Sequence, residues 1–155
     1  TIRLQADLYI THKPPAQKYI TSVRSIILKD DHVLVAYNND EQHILPGGRR
    51  ERGETYAETL KRECLEETCW DIEIKQLLAV THCCHLTPKP EKYVYPYPDF
   101  CQLIYVAEAT HHHPERTIDD EYVTRVEFQP IADVQKLDLT PNQHILLDVA
   151  LKVNV

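Results

Sequence analysis

The side chains best suited to hold a metal ion or move a proton come just after the three glycines of this 155-residue chain. Gly47, Gly48 and Gly53 fall within seven residues of one another, and Glu54, Arg62, Glu63, Glu66 and Glu67 follow. Glycine serves where the backbone must take positive φ or where another group approaches it closely. On a helix, Glu63, Glu66 and Glu67 share one sector of about 100°. Ala57, Leu60, Cys64 and Thr68 lie beside it and form a packing face. Like charges three and four residues apart repel by a few tenths of a kcal/mol each. A hard divalent cation removes that repulsion, and an all-oxygen donor set suits Mg²⁺ or Mn²⁺. A solvated acidic helix face is the alternative that the helix by itself leaves open.

Composition narrows the partners. The formal charge of −7 argues against a nucleic-acid backbone or an anionic membrane surface. A small phosphorylated substrate stays compatible, because a bound cation inverts the local field. No apolar run approaches the roughly 20 residues that span a bilayer, and no signal-peptide pattern opens the sequence. Five cysteines without framework spacing read as reduced thiols in a cytoplasmic protein. The length fits one domain, residues 1–155, with a core of its own.

The positioning elements follow from periodicity. Ile2 to Ile10 alternates as a half-buried strand, and Pro14-Pro15 breaks it. Tyr19 to Leu28 and Val33 to Tyr37, joined across Lys29 to His32, read as a hairpin. Asn38 to His43 is a polar connection. A helix is expected from about Thr55 to Thr68, strands over Ile72–Cys84, Phe100–Ala109 (central) and Tyr122–Phe128, and loops over His85–Asp99 and His111–Asp120. Thr140, Pro141 and Gln143 combine an N-cap, a proline at the first helical position and an N3 glutamine. The helix they open should bury Ile145, Leu146, Val149 and Val153. The plan is α+β, a sandwich of helices on a mixed sheet.

Read from Gly48, the key segment is Gly48, five residues, Glu54, seven residues, Arg62-Glu63-Cys64-Leu65-Glu66-Glu67-Thr68-Cys69-Trp70. This resembles the signature of the Nudix (MutT-like) hydrolase family, G-x5-E-x7-R-E-U-x-E-E-x-G-U, where U is a bulky apolar residue. Gly48, Glu54, Arg62, Glu63, Glu66, Glu67 and Trp70 match, Cys64 is acceptable, and Leu45-Pro46-Gly47 looks like the family's lead-in. Cys69 departs from the pattern. The family has glycine there, suited to a left-handed residue ending the helix. A cysteine in that conformation costs on the order of 1 kcal/mol, unless the helix ends differently.

The resemblance implies a Nudix-type α/β/α sandwich with a mixed sheet. It also implies Mg²⁺- or Mn²⁺-dependent hydrolysis of a pyrophosphate bond in a nucleoside diphosphate linked to another moiety. Carried over, Glu63, Glu66 and Glu67 would hold the metal with the Gly47 carbonyl. Arg62 would orient a glutamate, Glu54 would support it, and Glu63 would be the base. Relatives add an acid from a later loop, and in Asp119-Asp120-Glu121 the expectation falls on Glu121. A Nudix-fold domain that binds a nucleotide without turning it over is the other reading. The expected partner is a nucleotide-derivative small molecule, and family habit suggests a homodimer; the first strand, set off by Pro14-Pro15, either covers an edge of its own sheet or pairs with a second chain.

Three further clusters have plainer readings. His82-Cys83-Cys84-His85 lies in a strand, where neighbours point to opposite faces, so four consecutive residues cannot converge on zinc. His111-His112-His113 reads as solvated loop. Tyr93, Tyr95, Tyr97 and Phe100, in or next to a proline-rich loop, could stack on a base or simply pack.

Overall fold

The computed structural model describes residues 1–153. Eight strands form one mixed sheet: β1 (Leu4–Ile10), β2 (Ile20–Lys29), β3 (His32–Asn38), β4 (Glu41–His43), β5 (Gly47–Arg49), β6 (Trp70–His85), β7 (Asp99–His112) and β8 (Arg125–Pro130). The main order is β1-β6-β7-β2-β3-β4, with β5 joined to β2 and β8 to β3. Among the described residues only β2 and β7 run parallel; the other pairs are antiparallel. The architecture is α+β, a helix–sheet–helix sandwich. β7 lies between β6 and β2, as a central strand.

Alternation along β2 explains the two layers. Val23 and Ile27 pack with Leu60 and Cys64 of α1 (Tyr56–Thr68), while Ile26 and Leu28 share a cluster with Val134 of the short α2 (Ile131–Val134) and with Leu146, Leu147 and Ala150 of α3 (Pro141–Lys152). Because both faces are covered there, Ile26, Ile27 and Leu28 follow one another in β2 as consecutive apolar residues instead of alternating with polar ones.

Local chemistry sets the helix ends. Thr55 caps α1 reciprocally with Glu58, each side chain bonding the other's backbone N–H. At the far end Cys69 takes φ 64° and ψ 22°, the left-handed conformation its glycine-like position requires. Thr140 caps α3 by accepting from the Gln143 N–H, with Pro141 in the first turn.

Several boundaries differ from the sequence reading. β7 continues through His111 and His112, where a loop was expected. His112 stacks on Trp70 with ring centroids 4.9 Å apart, which gives the extension its support. The strand expected from Tyr122 begins at Arg125, because Asp120 folds the preceding residues into a turn. Glu41–His43 is a short strand rather than a plain connection. Ile145 is 47% exposed; Leu146, Leu147 and Ala150 form the buried stripe of α3, with Val149 and Val153 packed at its margin.

Candidate functional site

The glycine segment folds back beside α1. Gly47 and Gly48 lie in β5, opposite Arg24 and Val23 of β2. Gly47 has φ 152°, and a Cβ there would collide with the Val23 carbonyl and the Arg24 backbone. A Cβ on Gly48 would fall on the Glu63 carboxylate. These two residues are bare so that strand and acidic helix can approach each other. Gly53, at φ 89°, only turns the chain toward α1.

Arg62 organises the acids. Its Nε donates to Glu54 Oε2 at 2.6 Å and its Nη2 to Glu54 Oε1 at 3.0 Å, a bidentate pair. Nη1 reaches Glu63 Oε1 at 2.9 Å and Glu66 Oε2 at 3.4 Å, and Nη2 also donates to the Arg49 carbonyl. Glu54 further accepts from the Glu51 N–H and the Thr59 hydroxyl. With every hydrogen bond favouring the anion, above all those from Arg62, the Glu54 carboxyl is lowered to about pKa 2.

Glu67 is in the opposite situation. It is 4% exposed, and the Gly47 N–H donates to its Oε2 at 2.9 Å. Burial raises its pKa to about 7, against the Gly47 bond and Arg24, with Asp120 and Glu63 adding repulsion. Burial likewise raises Glu63, although Arg62 opposes it. His43 Nε2 lies 3.8 Å from Glu67 Oε1. Burial and the Arg24 charge lower His43 to about 4, so at neutral pH its ring is uncharged and leaves the Glu67 charge uncompensated.

Thus α1 brings Glu63, Glu66 and Glu67 to one side together with Arg62, Glu54 and Gly47. Glu121, the loop acid expected from the sequence, has an exposed side chain. Asp120 is the loop acid that does act on both. Its segment is tied to the end of α1 by hydrogen bonds from the Asp119 N–H to the Glu66 carbonyl (2.8 Å) and from the His113 N–H to the Cys69 carbonyl (2.9 Å).

Sequence reasoning passed over His43, Arg24 and Arg49. Arg24 Nη1 donates to the Leu45 carbonyl, anchoring the strand before Gly47. The Arg49 guanidinium lies over the Tyr95 ring, 3.9 Å from its centroid, and makes no side-chain hydrogen bond among the described residues. Its place beside Gly48 was the available signal. A cleft of about 550 Å³ opens at His43, with Asn38, Gln42, Asp138 and Gln143 also in its wall.

His82, Cys83, Cys84 and His85 do not converge. His82 bonds Asp99 at 2.8 Å and His85 bonds the Tyr93 hydroxyl at 3.0 Å. Among the described residues, no three His, Cys, Asp or Glu side chains stand together as a ready cation cage. The donor chemistry at α1 nevertheless fits a hard divalent cation: all oxygen, partly buried, with Glu67 lacking a cationic partner.

The profile of the NUDIX domain matches residues 18–149. No curated protein sequence matches the chain. Among solved structures, the Bacillus subtilis pyrophosphohydrolase BsRppH is similar, with TM-score 0.64, 16% identity and coverage of 97% of this chain and 95% of that one. A NUDIX hydrolase from Nitrosomonas europaea follows at TM-score 0.62 and 18% identity, over 86% and 88% of the two chains. An ADP-ribose pyrophosphatase from Streptococcus suis gives TM-score 0.57 and 16% identity, over 90% and 96%. Identities this low speak to fold, but the profile spans most of the sequence, and with it the glycine loop and the carboxylate helix; the chain belongs to the Nudix family.

Proposed function

We propose that this chain, as one domain, is a Mg²⁺- or Mn²⁺-dependent pyrophosphohydrolase acting on a nucleoside diphosphate linked to another moiety. The observation that carries the reading is the buried Glu67 carboxylate, held by the Gly47 N–H among acids that Arg62 and Arg24 offset only in part. So much negative charge beside a buried face is costly without a cation. Glu63, Glu66 and Glu67, with the Gly47 backbone, are the groups that would hold it, and Asp120 is the loop acid whose charge weighs on Glu63 and Glu67. The bound ion would supply positive charge to the pyrophosphate oxygens and acidify water.

The chain's own residues divide the remaining work. Glu54 fixes Arg62 through two bonds, and Arg62 fixes the Glu63 carboxylate at 2.9 Å. Glu63 takes the proton of the attacking water; its raised affinity for protons suits a general base. Glu67 suits that role less, since its side chain is more deeply buried than that of Glu63. The unbonded Arg49 guanidinium at the rim suits a substrate phosphate. Free thiols at all five cysteines support a reducing, cytoplasmic setting.

A substrate panel tests the proposal. Nucleoside triphosphates, ADP-ribose, dinucleoside polyphosphates and sugar nucleotides are incubated with Mg²⁺ or Mn²⁺, and cleavage is read by product separation. Turnover of one class, abolished by EDTA and by Glu67→Gln, is the expected result. Tight nucleotide binding without cleavage across the panel would replace the enzyme by a binding domain.

A further inference from the structure

Strand β1 closes the sheet with an open edge. Among the described residues it pairs only with β6. The Arg3 carbonyl accepts from the Leu86 N–H at 2.9 Å, and the Thr11 N–H donates to the Leu78 carbonyl at 3.1 Å. Both contacts involve odd-numbered residues. Antiparallel pairing alternates, so the odd residues of β1 direct their backbone groups to β6. Leu4, Ala6, Leu8 and Ile10 therefore turn their N–H and C=O groups outward. Such a row is a template for another strand.

The same margin concentrates exposed apolar surface. Among the described residues, five of the ten large exposed hydrophobic side chains lie here: Ile2 62%, Leu4 46%, Tyr9 53%, Ile10 51% and Leu86 52%. Clustering of this kind marks an interaction surface, where scattered single residues would not.

We propose that β1 pairs antiparallel with β1 of a second copy, extending one sheet through both subunits about a two-fold axis at Gln5. A two-fold normal to the sheet keeps each side chain on its own face, so only registers centred on a residue are allowed. Centring on Gln5 sets Arg3 opposite Asp7 of the second copy, and Asp7 opposite its Arg3. It also places Ile2 against Leu8 and Leu4 against Ala6. Centring on Arg3 or Asp7 opposes like charges, and centring on Leu4 or Ala6 leaves both charges facing uncharged residues. Opposite charges directly across a strand pair stabilise it, and like charges destabilise it. The charge pattern thus selects one register of an isologous interface.

Light scattering coupled to gel filtration, without substrate or metal, tests this independently of the proposed catalysis. The wild-type chain should be dimeric, and Arg3→Asp or Asp7→Arg alone should weaken the dimer at least about tenfold. The double swap Arg3→Asp/Asp7→Arg should restore it. Ala6→Pro should give a folded monomer, since the Ala6 N–H faces away from β6 and proline is tolerated at such an edge. Circular dichroism checks that this variant is folded. A monomeric wild type, a dimer indifferent to these changes, or a double swap that fails to recover would overturn the proposal.

Discussion

Glu54 grips Arg62 across eight residues of sequence through two hydrogen bonds of 2.6 and 3.0 Å, and this grip sets where Glu63 points. The planar guanidinium meets the carboxylate as a fork, a geometry lysine cannot reproduce. Arg62→Lys should therefore lower kcat by about 10–100-fold with only a modest change in KM, as expected for a support that orients a reacting group. Glu54→Gln, which keeps the shape but loses the charge, should fall between wild type and Arg62→Lys. Steady-state kinetics on the substrate found in the panel measure both.

The two glycines of β5 should respond differently to one added methyl group. In Gly47→Ala the new Cβ meets backbone, the Val23 carbonyl and Arg24 Cα, which cannot swing away. That variant should lose on the order of 1–3 kcal/mol of stability or fail to fold. In Gly48→Ala the obstacle is the tip of the Glu63 side chain, which can rotate. It should fold with near-normal Tm and still lose most activity, because Glu63 is displaced. Thermal denaturation alongside activity separates the two cases.

Glu67 should make stability depend on pH in the sense opposite to Glu54. Its folded pKa of about 7 lies above the ordinary 4.5, so the folded chain binds this proton more tightly than the unfolded one. Its contribution is full below 4.5 and is lost as pH rises through 7. Glu54, lowered to about 2, contributes above 4.5 and loses that contribution as pH falls toward 2. In cation-free protein, Glu67→Gln should raise Tm at pH 8 by a few degrees and change it little at pH 4.5. Mg²⁺ competes with the proton, so it should raise the wild-type Tm more at pH 8 than at pH 6. Thermal scans with and without EDTA read both effects.

Cys69 is the strained joint of the signature. At φ 64° it sits where a side chain costs on the order of 1 kcal/mol, and where the signature has glycine. Cys69→Gly should stabilise the chain by up to about 1 kcal/mol, reduced by the lost Sγ contact with the Arg116 carbonyl. Cys69→Ala retains the strain and should give no gain. Denaturant midpoints of the three proteins decide it.

What the sequence made legible was local. Caps act within one turn, so Thr140 and Pro141 marked α3 correctly, and Glu63, Glu66 and Glu67 fell together because helical spacing alone puts them there. The left-handed residue after α1 was legible from the missing glycine. Tertiary placement was harder to read. β5 is three residues long and exists because β2 offers it an edge, a contact across more than twenty positions. Ile145 looked buried by hydrophobicity, yet Ala150 holds the inner face because α3 meets the sheet along the stripe from Leu146. His43 carries no sequence signal at all; its neutral ring follows from burial beside Arg24.

The choice between Asp120 and Glu121 shows the same limit and can be tested cleanly. Both acids stand in one loop, and turn geometry separates them. Asp120 Oδ1 accepts from the Tyr122 N–H at 2.7 Å and the Val123 N–H at 2.9 Å, which holds the carboxylate in place. Its charge then raises the proton affinity of both Glu63 and Glu67. Asparagine keeps such a turn while removing the charge. Asp120→Asn should therefore fold normally, lower the pKa of Glu67, and weaken Mg²⁺ activation so that more metal is needed for half-maximal rate. Glu121→Gln, altering an exposed side chain, should leave the metal titration unchanged. If Glu121→Gln shifts that titration and Asp120→Asn does not, the loop acid of this site is Glu121 after all.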